Sequence, residues 1–246
     1  MTAPARDAEH GGDGHVHLHV TAPVTTARTA RDWAGWVVIG LGLATIVLFV
    51  VSFFLPWWTF QLYAPQYPKG LTLVIHLTGM RGDVHEIDLL NHYIGMKHLA
   101  GAAPTERRLA AYGVAAICIA VLTLLLVSGK KLNKWIAIPA ILFPVVFLLD
   151  SFYWLYTFGH SLDPKAPLHI DTFTPQMFGS GQIGQFETFA HPSLGFWLAV
   201  AGVVCAVAAV VVRSRACAHC GRASSCSVVC PRLMVLPEPK PPEEAP

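Results

Sequence analysis

The sequence predicts an all-α membrane protein with four transmembrane helices, both termini in the cytoplasm and two sizeable extracytoplasmic loops, the first containing short β-strands. Three observations predict it. Of the 246 residues 54% are hydrophobic and only 13% are charged, whereas a soluble domain carries about a quarter charged residues. Four apolar runs are each long enough to cross a ~30 Å hydrocarbon core at ~1.5 Å rise per residue. Basic residues gather at those run ends that alternating helices place on a single side. The net charge of +2 gives no basis for nucleic-acid binding.

The first run extends from Trp36 to Leu55, the second from Leu109 to Val127, the third from Trp135 to Thr157 and the fourth from Leu194 to Val212. No basic residue interrupts them. In hydrocarbon every backbone amide needs an internal partner, so each run is predicted to be helical. Pro139 and Pro144 predict a kink in the third. The first run is long and lacks a small-residue cleavage site, which reads as an uncleaved anchor rather than a signal peptide.

Orientation follows from Arg28 and Arg31 before the first run, Lys130, Lys131 and Lys134 between the second and third, and Arg213 and Arg215 after the fourth. These places share one side, which the positive-inside rule makes cytoplasmic. Arg107 and Arg108 are a local counter-signal. Aromatic residues agree: Trp57, Trp58, Phe152, Tyr153, Trp154 and Tyr156 read as an outer belt, and Trp33, Trp36 and Trp135 as an inner one.

Residues 1–32 read as a disordered, His-containing cytoplasmic tail, and 33–212 as the membrane domain with outer loops at about 56–108 and 158–192. Residues 213–236 form a Cys-rich cytoplasmic segment and 237–246 a disordered Pro/Glu-rich end. In the first outer loop, Leu71 to Leu77 predicts a strand, Arg81-Gly82-Asp83 a turn, and Val84 to Leu90 a second strand or a helix entrance. Each outer loop carries an Ile-Gly pair, Ile94-Gly95 and Ile183-Gly184, and then a proline, Pro104 or Pro192. The pairing hints at a duplicated helix–loop–helix unit.

Cys217, Cys220, Cys226 and Cys230 follow the last run with C-x2-C-x5-C-x3-C spacing. In a reducing compartment four thiolates suit a closed tetrahedral zinc site, the alternatives being a tail of unliganded thiols or a 4Fe–4S ligand set, from whose ferredoxin run the spacing departs. Cys118 and Cys205 lie inside spans and read as packing residues. His10, His15, His17 and His19 form a loose imidazole cluster in the amino-terminal tail.

The first outer loop holds Asn91-His-Tyr-Ile-Gly-Met96, followed by Lys97-His98. On a helix His92 and Met96 share a face. Imidazole and thioether select Cu(I) without the oxidation risk of a thiol, so His92, Met96 and His98 are the candidate copper ligands. His76, Met80, His85, His160, His169, Met177 and His191 are further donors on the same side. The competing reading is packing of Met96 and Tyr93 on the membrane surface. Asp150 lies in the outer third of the third span, where an ionisable group is either functional or met by water or a loop histidine. No nucleophile triad, phosphate-cradling glycine loop or dinucleotide fingerprint is present in the sequence.

The stretches Ala64-Pro-Gln-Tyr-Pro-Lys-Gly-Leu71, Gly82-Asp-Val-His-Glu-Ile87, Leu90-Asn-His-Tyr-Ile-Gly-Met96 and Gly181-Gln-Ile-Gly-Gln-Phe-Glu-Thr-Phe189 carry a resemblance. Over roughly residues 56 to 200 the chain resembles a family of bacterial integral membrane proteins. That family is associated with accessory genes of nitrous-oxide reductase and of haem-copper nitric-oxide or oxygen reductases. The resemblance implies a multi-pass protein of the bacterial inner membrane: a non-catalytic accessory or assembly protein, or a small subunit, of a copper-containing respiratory reductase. Its partners would be membrane lipid and that reductase. The alternative is a small-solute or metal-ion transporter acting as an oligomer, for which Asp150 is the single ionisable Asp, Glu, Lys, Arg or His inside the runs. No span interior contains a histidine, which argues against an intramembrane bis-histidine haem enzyme.

Overall fold

The computed structural model describes residues 25–126, 130–183 and 186–216. It contains four helices long and apolar enough to cross a membrane, with spans at Ala34–Phe54, Pro104–Leu126, Ala137–His160 and Leu194–Arg215. They belong to α1 (Thr25–Phe54), α3 (Pro104–Leu126), α4 (Lys130–His160) and α5 (Leu194–Ala216); a shorter helix, α2, spans Val84–Tyr93. The predicted runs and the spans coincide within a few residues at most ends. α4 remains helical through Pro139 and Pro144.

The four long helices pack in a ring, α1 against α3 and α5, and α4 against α3 and α5. The tightest seam joins α1 and α5. There Ala199, Ala206 and Ala209 are buried, and a Cβ on Gly202 would meet the Phe49 ring at 2.9 Å. Small residues let two backbones approach closely enough to gain dispersion contacts in place of a hydrophobic drive. Thr45 Oγ1 donates within its own helix to Leu41 O (2.9 Å) and reaches Gly202 O of α5 at 3.4 Å. At the other end of α3 the buried Arg213 donates to the Leu124 carbonyl. Leu43, Val47, Leu122, Leu142, Val146 and Val204 point outward, an apolar girdle of the kind that lipid covers.

The all-α expectation holds for the spans, and the first loop contains the short strands expected of it; the strands of the second loop and their union with the first in one sheet were not expected. Both loops leave the same end of the bundle and merge into one five-stranded antiparallel sheet of order β3-β2-β1-β5-β4. The strands are β1 (Trp58–Ala64), β2 (Tyr67–His76), β3 (Gly79–Gly82), β4 (Gly179–Ile183) and β5 (Phe186–Pro192). β1 and β5 alternate at period two, the signature of a sheet with one covered face. Leu62, Thr188 and Ala190 are buried, while Tyr63, Glu187 and Phe189 are exposed. β1 pairs with both loops: Phe60 lies opposite Leu73 on one side and Ala190 on the other. α2 packs on the covered face, where Ile87 joins Leu62, Leu71 and Leu73 in one cluster.

Two local expectations change with the sheet. Arg81 and Gly82 belong to β3 instead of a turn, and Asp83 is the N-cap residue of α2, tied to Thr72 by Asp83 N–H to O (2.9 Å) and Thr72 N–H to Oδ2 (2.8 Å). The hint of duplication also fails, because Ile94 caps a helix whereas Ile183 ends a strand.

Trp57 joins sheet to bundle. It is fully buried, donates from Nε1 to Ser52 O (3.0 Å), and stacks edge-on against Phe143, Phe147 and Phe196. Trp58 is likewise buried. These two tryptophans are core residues and not part of the belt predicted for them. Phe152, Tyr153 and Tyr156 of α4 are exposed, as a belt requires.

Candidate functional site

Between the covered face of the sheet and the cap end of the bundle lies a cavity of about 360 Å³, within the size range of small-molecule sites. Phe60, Leu62, Leu73 and Ile75 form its roof. Ala110 of α3 and Phe143, Phe147, Leu155 and Phe158 of α4 form its walls, and Phe173, Pro175 and Met177 of the second loop close one side. The lining is overwhelmingly apolar. Its shape depends on two glycines where the loops cross. Gly95 has φ +79° and lies so close to Asp163 that a Cβ would meet its backbone at 2.9 Å; here Asp163 N–H donates to Gly95 O (2.9 Å) and Leu168 N–H to Tyr93 O (3.0 Å). On α4, Gly159 leaves room for the Phe173 carbonyl, which a Cβ would overlap.

A few polar groups interrupt the apolar wall. Asp150 of α4 lies within electrostatic range of Glu106 on the first turn of α3. Among the described residues the groups that act on it are this second carboxylate and the Trp154 indole. Trp154, one turn further along α4, has a buried indole N–H within reach of both carboxylates. That N–H closes a full hydrogen bond with no described residue. Arg107 also lines the cavity, and its guanidinium donates to Ala100 O (3.1 Å) and Leu99 O (3.4 Å). Asn91, on the last turn of α2, is buried with Nδ2 unpaired. His76, at the end of β2, has its imidazole pKa lowered by burial and by the positive charge of Arg81, against an opposing bond with the Leu55 backbone.

The candidate copper ligands separate in the structure. α2 ends at Tyr93 and the chain turns at Gly95, so His92 and Met96 do not share a helix face. Met96 is half-buried in the cavity wall, whereas His92 and His98 are exposed. His98 lies 3.8 Å from Asp88. Asp88 is a buried carboxylate that accepts from Leu99 N–H (2.6 Å) and Ala100 N–H (3.4 Å), bracing the 3-10 turn Leu99–Gly101. Among the described residues no three His, Cys, Asp or Glu side chains cluster as a metal-holding group. Cys217, Cys220, Cys226, Cys230 and the amino-terminal histidines lie outside the described residues. Sequence reasoning passed over Glu106, which stands beside two arginines, and read Trp154 only as a member of the outer aromatic belt, whereas it lines the chamber. Asn91 lies in the block that drew attention, and its burial is the signal that the sequence does not carry.

The fold and the cavity together define a class: a four-span membrane protein whose two loops on one side form a β-sheet cap over an apolar chamber. No protein-family model and no curated protein matches the chain.

Proposed function

We propose that the protein is a non-catalytic accessory protein of a bacterial cell membrane that holds an apolar small molecule beneath an extracytoplasmic cap. The observation that carries this reading is the chamber of about 360 Å³ built jointly by spans and sheet. A protein interior of ordinary packing contains few voids larger than a water molecule, and hydrophobic chambers with a few placed polar groups are the usual form of a ligand site. Exposed Leu109 of α3 is part of the lining, which offers lateral entry from lipid. The resemblance supports a copper-containing haem-copper or nitrous-oxide reductase as the partner served by this protein. The test is purification of the full-length chain in mild detergent, followed by organic extraction and mass spectrometry, with metal analysis and identification of co-purifying subunits in the same eluate. A retained apolar molecule near one per chain, reduced when Leu109→Trp narrows the entrance, is the expected result. A chain that comes through bare, and takes up no apolar molecule when one is offered, overturns the reading.

A second reading is favoured by one observation: His76, Met80, Met96 and Met177 all line the same chamber. Thioether and imidazole donors around an apolar space suit Cu(I), and this set keeps Met96 while replacing the exposed His92 and His98. Anaerobic Cu(I) titration of wild type against Met96→Leu separates it from the first, since an apolar ligand tolerates that nearly volume-conserving exchange.

A further inference from the structure

The chamber is longer than it is wide, and it opens toward lipid. On α4 its lining recurs at Phe143, Phe147, Asp150, Trp154 and Phe158, so one face of the helix borders it for about four turns, roughly 22 Å. A globular space of about 360 Å³ would border only about two turns. One end is closed: Phe158 is 4% exposed, and beside it the Phe173 carbonyl fills the room left by Gly159. The other end is open. A Cβ on Gly113 of α3 would meet the Phe143 ring of α4, which sets the register of these two consecutive, antiparallel spans. About one turn from that contact toward the cap stand Leu109 on α3 and Val146 on α4. Both line the chamber, and both are largely exposed, at 62% and 56%. They are wall and outer surface at once, the two lips of a lateral opening that is continuous with the apolar girdle covered by lipid.

We infer that the chamber takes one acyl chain of a membrane lipid, which enters between Leu109 and Val146 and runs along α4 toward the covered face of the sheet. This rests on the reading of the chamber as a ligand site and names the ligand. The length of the slot suits a thin, flexible body. Its far wall is apolar, with Leu73 and Ile75 of β2 above the end of the bundle, so a chain passes from bilayer to chamber without exposing apolar surface to water. Lipid is also the solvent at this opening, and mass action fills the slot even at modest affinity. The polar side chains of the lining leave the path clear. Arg107 gives its guanidinium to the Ala100 and Leu99 carbonyls and offers the chamber its methylene stem. Glu106 turns its carboxylate to the exposed Thr105 Oγ1 (2.7 Å). Asp150 is the one carboxylate on the α4 stripe, with Phe147 and Trp154 on either side of it along the helix.

The test uses the full-length chain in phosphatidylcholine nanodiscs, a small share of the lipid carrying a diazirine at the end of one acyl chain. After irradiation the cross-links are mapped residue by residue by mass spectrometry. Insertion should fall on Leu73 and Ile75, on the covered face of the sheet, and should spare Tyr63 and Phe189 on its exposed face. Lipid that only surrounds the spans labels Leu43 and Val204 and serves as the internal reference. Leu109→Trp and Val146→Trp should each cut labelling of Leu73 and Ile75 about tenfold against that reference by overfilling the entrance. Leu109→Ala should keep it, which separates a blocked entrance from a damaged fold. Labelling of both sheet faces alike, labelling unmoved by either tryptophan, or an equal loss in Leu109→Ala overturns the inference. So does the absence of labelling on the covered face. In that case tritiated hexadecane, with empty nanodiscs subtracted, decides the rest: uptake near one per chain leaves the proposed function standing, and no uptake overturns both.

Discussion

Asp88→Ala should loosen one corner of the cap without touching the spans. The Asp88 side chain is buried and its carboxylate accepts two backbone N–H groups, from Leu99 at 2.6 Å and Ala100 at 3.4 Å. Only the shorter bond is a strong one by geometry. The Ala100 amide belongs to an exposed residue and finds water when the carboxylate is gone, while that of half-buried Leu99 is less well served. Losing one hydrogen bond to a charged acceptor costs about 1.5–3 kcal/mol. That corresponds to a roughly ten- to hundredfold increase in the opening equilibrium of the turn. Hydrogen exchange read by mass spectrometry on the reconstituted protein is the assay. Peptides covering residues 97–103 should lose protection by that factor, while peptides from α1 and α5 stay unchanged, since local openings of this kind leave the rest of the fold intact. Asp88→Asn keeps one acceptor oxygen and should lose less. Unchanged protection in the turn, or an equal loss across all spans, would refute the account of Asp88 as a local brace.

Other expectations follow from the same chain of reasoning. His76 has its pKa lowered by burial and by Arg81, so the folded state favours the neutral ring. Its contribution is fully present above the ordinary imidazole value of about 6.5 and is lost as pH falls from there through the lowered folded pKa. Thermal unfolding midpoints should therefore fall more between pH 7.5 and 5 for wild type than for His76→Gln, and parallel curves would count against it. Alkaline-phosphatase fusions at about residues 75 and 175 should be active and those at about 132 and 225 inactive, given the basic flanks; the reverse pattern inverts the topology. Trp57→Ala should cost about 3–5 kcal/mol as a fully buried aromatic, measured as lost thermal stability of sheet and bundle together. If the sheet melted alone, Trp57 would not be the joint between them. Truncation after Arg215, which removes Cys217, Cys220, Cys226 and Cys230, should leave membrane insertion intact, because the spans fold on their own apolar surfaces. Loss of all folded protein would contradict this.

The spans were legible because the signal for them is local. Nineteen or so consecutive apolar residues fix a helix by composition alone when no water is present to satisfy the backbone, and the chain supplies four such runs. Part of β2 was legible from Leu71 to Leu77 for a similar reason. The rest of the sheet was not. β4 is Gly-Ser-Gly-Gln-Ile, weak in strand propensity, and it becomes a strand through pairing with β5. β1 follows directly on the first span, and its Trp58 reads equally well as an interface aromatic until Ile75 and Pro192 are found opposite it. Pairing of Thr59 with His191 across two separate loops is decided by which alternating faces bury each other, and no window of sequence contains both partners. Candidate ligands fared according to the same rule. Met96 and Asp150 were named from residue type and depth, and the structure puts both in one chamber wall. His92 and His98 were grouped with Met96 on helical spacing, which fails because Gly95 turns the chain after Tyr93. What the sequence alone determined is the number and place of the spans and, from their alternation, that both long loops emerge at one end of the bundle. What only the tertiary structure decided is the chamber, because an enclosed space is made by surfaces from distant segments meeting, and Asn91, Glu106 and Trp154 acquire their meaning only from what each of them faces.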